Sequence, residues 1–337
     1  MVERAIESTM PNFTGRLLPP EEIYQETLAM DETFVRIVAE WLWEQFEHEG
    51  WGVGEAYNIA DMVQTFEIKN DDLFQEALIS VATSDYVAKE GDKFRFLKPA
   101  VGVSLDYLLN ECPKDFGQSF PVFAKIFRAG LDKVLLGITQ DSDPMTAEAW
   151  DRVLGNQFYV NDRHRAMEFG RLMDLRKDLD RPLKVLDWGC GTGICSIQIQ
   201  QYLNENGIEH ELYGYDPTPG VIDIAKSRIP SLSPYIFGRS EKEVVFDIVF
   251  VSHALHYIPN GQQQPTIALI DRICHSPGKF LGCALFSEPD FNPHVNTCIR
   301  VLGGPGVPSE AGFKSWFLGT NFKIRVDTCA RVFCADK

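Results

Sequence analysis

The sequence predicts an α/β protein in two parts, a mainly helical first half and a second half built on a mostly parallel sheet with helices on both faces. Three observations carry this prediction. Within Leu183–Gln200, a strand-like apolar run leads through a glycine-rich turn into a helical pattern. Strand and helix patterns then alternate, with strands predicted at 211–215, 235–237, 246–251 and 279–286. In the first half, apolar residues recur at the three- and four-residue spacing of helices.

The composition indicates a folded protein that binds neither nucleic acid nor membrane. The chain has 337 residues, of which 45% are apolar and 24% are charged, values that are ordinary for globular domains. Its net charge of −16 argues against contacts with phosphate backbones, which need basic patches. No apolar run approaches the ~20 residues of a membrane helix, and the polar, acidic N-terminus is unlike a signal peptide. The eight cysteines form no C-x-x-C pair, so we expect reduced thiols and a cytoplasmic location.

The pattern divides the chain into an N-terminal arm at 1–20, a helical domain at 21–144, a helical linker at 145–180 and the α/β domain at 181–337. In the helical domain, the order of helices followed by a hairpin signature at Glu90-Gly91-Asp92 is that of a winged helix. A DNA-reading helix would begin at Asn70-Asp71-Asp72, which is acidic and unsuited to phosphate. We therefore expect this domain to mediate interaction or dimerisation.

Two segments are predicted to wall a small-molecule pocket. The linker carries aromatic and methionine side chains such as Trp150, Phe158 and Met167. The second segment is the loop at 289–308, which contains His294. Because pockets with such linings take apolar ligands, we expect a flat or aromatic small-molecule substrate.

The glycine-rich turn predicts a ligand site at the edge of the sheet. Gly189, Gly191 and Gly193 follow the strand that ends at Asp187. Glycines let the backbone approach a ligand closely, and the free N–H groups at a helix start attract polar or anionic groups. Asp216 ends the next strand, where a carboxylate accepts both hydroxyls of a ribose. The two features together favour a ligand that contains a nucleoside.

These residues resemble the class I S-adenosylmethionine-dependent methyltransferases, which are built on a Rossmann-like sheet. The resemblance rests on three blocks in order, the D-x-G-x-G-x-G loop of Asp187–Gly193, then Tyr213–Pro217, then Phe246–Val249. The first half is similar in its order of elements to small-molecule O-methyltransferases that have an N-terminal winged-helix-like dimerisation domain. The resemblance implies S-adenosyl-L-methionine as the cofactor, a small-molecule acceptor, and a homodimer formed through the N-terminal domain.

The resemblance also implies roles for individual residues. Asp187 and the loop Gly189–Gly193 would hold the methionine end of the cofactor. Asp216, which is followed by Pro217, would hold the ribose. Arg239 would lie near the adenine, at a position where the family often has an acidic residue.

Methyl transfer to a hydroxyl needs alignment of donor and acceptor, and it also needs a base within hydrogen-bond reach. Ser252, His253 and His256 follow the strand at 246–251, at the edge where the resemblance places the cofactor. The segment around His256 aligns with the one that carries the base in the O-methyltransferases. His256 is therefore the predicted base, and His253 is a second candidate catalytic residue. The family orients its base with glutamates, and the nearest ones here are Glu288 and Glu310.

Two other functions fit the same residues. His253 or His256, with His294 and an acid, would bind a metal in a C-methyltransferase of this build, although no tight ligand spacing supports a metal site. The second alternative is a catalytically inactive relative that binds adenosylmethionine and serves as an interaction module. It is kept because neither Glu288 nor Glu310 matches the family's orienting glutamates cleanly. The leading hypothesis is a metal-free methyltransferase that acts on oxygen.

Overall fold

The computed structural model describes residues 15, 17–104, 120–138, 146–175, 181–218, 220–237, 244–287 and 294–337. In the first half, helices pack around a small antiparallel sheet with the strand order β1-β3-β2. Its elements are α1 (Pro20–His48), β1 (Tyr57–Asn58), α2 (Ile59–Thr65), α3 (Asp71–Val81), β2 (Val87–Glu90), β3 (Lys93–Phe96) and α4 (Phe120–Leu131), which continues as a π-helical turn at Asp132–Leu136.

The long helix α1 organises this half, because its apolar face is buried along most of its length. Ile37, Trp41 and Phe46 are almost wholly inaccessible to solvent. The Phe46 ring lies 6.4 Å from the ring of Phe94 and 5.0 Å from that of Phe96, so the helix packs directly on the hairpin. Aromatic contacts of this kind add to the free energy gained by burying apolar surface.

The described part of the linker, residues 146–175, forms three helices. These are α5 (Ala147–Leu154), α6 (Gln157–Phe169) and α7 (Leu172–Leu175). The Oδ1 atom of Asn156 accepts a hydrogen bond from the N–H of Phe158 at 3.0 Å, and it thereby caps α6. The chain turns at this cap, which directs α6 across the C-terminal half of the molecule.

In the described residues of the second half, helices flank a seven-stranded sheet. Its elements are β4 (Leu183–Trp188), α8 (Ile194–Glu205), β5 (His210–Tyr215), α9 (Val221–Arg228), β6 (Ser233–Pro234), β7 (Phe246–Ser252), α10 (Gln263–Ile273), β8 (Cys274–Cys283), α11 (Val295–Val301), α12 (Glu310–Ser315), β9 (Lys323–Asp327) and β10 (Val332–Asp336). A short 3₁₀ turn at Leu255–Tyr257 follows β7.

The strands are ordered β6-β5-β4-β7-β8-β10-β9. The first five in this order are parallel to one another, and β10 is antiparallel to both β8 and β9. Alternate side chains of the central strands enter separate cores on the two faces of the sheet. Val185 and Ile248 belong to one core, whereas Leu186 and Val249 belong to the other. The carboxyl ends of β4, β5 and β7 therefore meet at one edge, where the strand order reverses.

The predicted fold class is confirmed, since a mostly parallel sheet with flanking helices follows an N-terminal helical domain. The strand predicted at 235–237 is wrong, because only Ser233 and Pro234 pair with β5. Tyr235 and Phe237 instead pack against other rings, 5.0 Å and 4.6 Å from Phe246 and Tyr215 respectively. None of the helices described has the length and apolar character that crossing a membrane requires.

Candidate active site

The glycine-rich loop leaves β4 and enters α8 at the sheet edge. Gly189, Gly191 and Gly193 have φ values of 78°, 52° and 92°, a backbone region that glycine adopts readily and other residues avoid. A Cβ atom at Gly189 would lie 2.9 Å from the Cβ of Ala254, so the loop passes too close to the β7 edge for a side chain. Around Gly191 no protein atom lies within 4 Å of such a Cβ, so this glycine faces open space.

Asp216 follows β5 and holds the loop in place. Its Oδ2 atom accepts the N–H of Gly191 at 2.9 Å, and its Oδ1 atom accepts the N–H of Thr218 at 2.8 Å. Each carboxylate oxygen can accept a second hydrogen bond. Asp216 borders the cavity described below, so it retains the capacity to bind a pair of hydroxyl groups.

Two buried polar side chains at the ends of β4 and β7 have atoms without hydrogen-bond partners in the described part of the chain. Asp187 accepts a hydrogen bond from the hydroxyl of Ser196 at 2.5 Å through Oδ2, whereas its Oδ1 has none. Burial raises the pKa of Asp187 to about 6. The hydroxyl of Ser252 is also buried without a partner, and Ser252 borders the cavity. Unsatisfied groups of this kind are expected where a polar ligand binds.

A contact that the sequence did not reveal ties the linker to the glycine loop. Asp151 of α5 accepts a hydrogen bond from the hydroxyl of Thr192 and another from Nη2 of Arg228 at 2.5 Å. Nη1 of Arg228 also donates to the carbonyl of Thr192 at 3.2 Å. Asp151 and Thr192 both border the cavity, so the linker helix fixes the loop as well as walling the site.

A cavity of ≈ 490 Å³ lies between the two halves of the molecule and opens on the glycine loop. One side is formed by that loop and by Asp216. The opposite side is apolar and combines Met30 and Phe34 of α1 with Phe123 of α4 and Cys298 of α11. The volume and the apolar lining suit a small organic molecule bound beside a polar one.

His253 and His256 both border this cavity, after the end of β7. Burial and, to a smaller extent, the neighbouring His253 lower the pKa of His256 to about 3. Burial also lowers the pKa of His253, although the carboxylate of Asp162 opposes the effect. Both imidazoles are therefore neutral at neutral pH, which is the form that accepts a proton.

The three residues predicted to bind substrate are not among those that border the cavity. Phe158 is buried, with the guanidinium of Arg331 4.3 Å from its ring centre. Met167 is fully buried in the core beneath the sheet. His294 is held by the first half of the chain, since its Nδ1 lies 3.1 Å from the hydroxyl of Ser80.

The remaining predicted residues are placed as follows. Pro217 is exposed and is not among the residues that border the cavity, whereas Arg239 and Glu288 lie outside the described residues. Glu310 pairs with Nζ of Lys314 at 2.5 Å. No group of three or more His, Cys, Asp or Glu side chains in the described ranges is arranged to hold a metal ion.

The chain was compared with known families and solved structures. A family model described as a methyltransferase domain matches residues 185–278. The CurJ carbon methyltransferase is 15% identical, with a TM-score of 0.69 over 95% of this chain and 94% of that one. The CMeT domain of the citrinin polyketide synthase is also 15% identical, with a TM-score of 0.64 over 96% and 98%. An O-methyltransferase family 2 protein from Planctomyces limnophilus, solved in complex with apigenin, is 14% identical, with a TM-score of 0.51 over 96% and 98%. At these identities the structures share a fold.

Proposed function

We propose that this chain, which contains a methyltransferase domain of the S-adenosylmethionine-dependent class, methylates a small, flat, uncharged acceptor bound in the cavity between its two halves. The observation that carries this proposal is the two-sided cavity, which has a glycine loop and carboxylate on one side and an apolar wall on the other. Two neutral imidazoles border the same space.

The polar side of the cavity fits the cofactor. The open face of Gly191 would accommodate it, and Asp216 would accept the ribose hydroxyls. The partnerless hydroxyl of Ser252 offers a further hydrogen bond. When bound, S-adenosylmethionine supplies an electrophilic methyl group on a cationic sulfur. Roles for Asp187 and Arg239 near the methionine and adenine ends remain expectations from the family resemblance.

The apolar side of the cavity selects the acceptor. Phe34, Phe123, Trp150 and Tyr159 border it, and flat rings pack well against such side chains. Among the described residues that border the cavity, the carboxylates are Asp151 and Asp216, both beside the glycine loop, and lysine and arginine are absent. A charged acceptor would therefore lose its hydration without gaining an ionic partner.

The acceptor hydroxyl would lose its proton to a cavity histidine as its oxygen bonds to the methyl carbon and the carbon–sulfur bond breaks. His256 and His253 are the candidates for this base. Methyl transfer to an acidic carbon is a second candidate function, because it needs the same base. The carbon methyltransferase and CMeT structures also superpose on this fold with higher TM-scores than the O-methyltransferase does.

Two further expectations accompany this function. We propose that the N-terminal domain is winged-helix-like and forms a homodimer. The three-stranded antiparallel sheet supports the first point, and the exposed apolar side chains of Ile79, Leu97 and Val101 support the second. Light scattering on the purified chain would test dimerisation. A cytoplasmic location is expected because all seven described cysteines are free thiols.

The proposal is tested by calorimetry with S-adenosylmethionine and S-adenosylhomocysteine, followed by transfer assays with a trideuteromethyl donor. Apigenin serves as a flat hydroxyl probe, and benzoylacetone serves as a flat carbon acid. We expect both cofactor forms to bind, and mass and NMR spectra to show the label on oxygen of the first probe or on carbon of the second. Absence of cofactor binding at millimolar concentration would refute the proposed function.

A further inference from the structure

Tyr159 brings a polar group to the part of the cavity that is otherwise lined by apolar side chains. It lies in the first turn of the linker helix α6 and borders the same space as Phe34 and Phe123. Its ring meets the ring of His253, which directly follows β7, edge-on at 5.0 Å. Tyr159 is therefore close to the sheet edge where the cofactor is proposed to bind, and a molecule held against the apolar wall can also contact it.

The hydroxyl of Tyr159 makes no hydrogen bond to any described residue, yet it is not one of the fully buried atoms. It therefore retains some surface that a bound molecule can reach. Other tyrosines have partners, since Tyr57, Tyr202 and Tyr213 each donate a hydrogen bond from the hydroxyl to a glutamate. Because polar groups in apolar surroundings are normally paired, a free hydroxyl at a cavity points to a ligand group that pairs with it.

This hydroxyl stays protonated and can donate a hydrogen bond. Burial and, to a smaller extent, the neighbouring Cys298 raise the pKa of Tyr159 above its usual value. Tyr257 is the other tyrosine among the described residues that border the cavity. Its side chain is 39% exposed, so water can satisfy its hydroxyl. Tyr159 is less exposed and depends more on the bound molecule for a partner.

The partner that suits Tyr159 best is an oxygen that only accepts hydrogen bonds. Two hydroxyl groups that pair with each other carry two protons and use one of them, so the second O–H is left in apolar surroundings at a cost in free energy. A carbonyl oxygen paired with a phenol leaves no proton unused. A carboxylate would fit the same rule, but its charge would lose hydration in a cavity whose described residues include no lysine or arginine. The observations therefore favour a ketone.

We propose that the hydroxyl of Tyr159 donates a hydrogen bond to a keto oxygen of the acceptor, and that the chain therefore selects flat acceptors whose methylated atom is conjugated to a ketone. This inference rests on the proposed function and deepens it by naming the substrate class. In the reaction the acceptor gives its proton to a cavity histidine, and the deprotonated atom bonds to the methyl carbon as the carbon–sulfur bond breaks. Part of the negative charge that develops moves through the conjugated system to the keto oxygen. The hydrogen bond from Tyr159 strengthens with that charge and so stabilises the transition state.

A matched pair of flat tricyclic molecules tests this recognition. 1-Hydroxyfluorenone and 1-hydroxyfluorene differ in a ketone against a methylene group, and calorimetry in the presence of S-adenosylhomocysteine gives their dissociation constants. Tyr159→Phe removes the hydroxyl and keeps the ring. Tyr86→Phe is the control, because the hydroxyl of Tyr86 also makes no hydrogen bond to a described residue and Tyr86 does not border the cavity.

We expect Tyr159→Phe to reduce the preference for the ketone over the methylene compound by about fivefold, the usual contribution of a neutral hydrogen bond. Tyr86→Phe should leave this ratio unchanged. An unchanged ratio in Tyr159→Phe, or failure of the ketone to bind to the wild-type chain, would overturn the inference.

Two further readouts separate recognition from catalysis. In infrared difference spectra with isotope-labelled ketone, the carbonyl stretching frequency of the bound molecule should be lower in wild type than in Tyr159→Phe, a shift that packing of the ring alone would not produce. In the transfer assay, Tyr159→Phe should lower kcat/KM for the ketone by about fivefold or more, with little effect on the methylene compound. If the wild-type chain shows the lowered carbonyl frequency but methylates neither molecule, the proposed function fails while recognition of the ketone stands.

Discussion

Gly191→Ala is the sharpest test of where the cofactor binds. The residue has a φ of +52°, and an added Cβ would meet no protein atom within 4 Å. The substitution therefore causes no clash inside the protein, and its cost to folding is only that of left-handed alanine, about 1–2 kcal/mol. A ligand lying against the loop, however, would meet the new methyl group directly, since Gly191 borders the cavity.

Gly319→Ala is the matched control. Gly319 has a φ of +83° and is likewise free of protein atoms within 4 Å of an added Cβ, but it lies in an exposed turn and is not among the residues that border the cavity. Both variants should lose a similar free energy of unfolding in urea titrations. Only Gly191→Ala should weaken S-adenosylhomocysteine binding, by about tenfold or more, which corresponds to roughly 1.4 kcal/mol or more.

Isothermal titration calorimetry on the three proteins gives the dissociation constants, and thermal unfolding without ligand gives a second measure of the strain. Equal affinities for wild type and Gly191→Ala would show that the loop is not the cofactor site. Equal weakening in both variants would show that the effect comes from general destabilisation.

Two further predictions address a cofactor contact and a pH effect. Asp216→Asn should raise the dissociation constant for S-adenosylhomocysteine by roughly 10- to 100-fold, because charged hydrogen bonds contribute about 1.5–3 kcal/mol; calorimetry at constant pH checks this, and unchanged affinity would contradict a ribose-binding role. Burial raises the pKa of Asp31 from 3.8 to about 7, so the folded state keeps a proton that the unfolded chain releases, and the stability that this group contributes is lost as pH rises from about 4 to 7. The free energy of unfolding, measured by urea titration, should therefore fall less between pH 5 and pH 8 in the Asp31→Asn variant than in wild type. An identical fall in the two proteins would show that Asp31 is not the source of this pH dependence.

The side of the candidate site that contains the glycine loop could be predicted from the sequence, because its pattern is local. Gly189 to Gly193 immediately follow a strand, and Asp216 immediately follows the next one. In a parallel sheet, adjacent strand ends meet at one edge. The structure places Gly191 and Asp216 in direct contact, joined by the 2.9 Å hydrogen bond between them.

The acceptor side could not be predicted in the same way. Apolar periodicity shows that Phe158 and Met167 are on a helix face, but it does not distinguish a face that lines a cavity from one that enters a core. Both residues are buried in the core, whereas Met30 and Phe34, which are far away in the sequence, border the cavity. Their contribution depends on how α1 docks, which is a long-range property without a local signal.

Asp162 illustrates the same limit for polar residues. In the sequence it is one acid among 48, and the acids predicted to lie nearest to the histidines are Glu288 and Glu310. The acid that lies beside His253 comes instead from the linker helix α6. A buried, ionised Asp162 could not be predicted from the sequence, because its pairing with Arg331 and Arg165 depends on three-dimensional packing.

The apolar wall formed by Met30, Phe34 and Phe123 belongs to a part of the chain that takes no part in the glycine loop. In the proposed function, the methyl donor and the methyl acceptor would therefore be contacted by different segments of one polypeptide. Substitutions in α1 and α4 are then expected to alter which molecules are methylated while donor affinity stays constant. Such an arrangement allows new acceptor specificities to evolve, or to be engineered, through substitutions on the cavity-facing sides of individual helices.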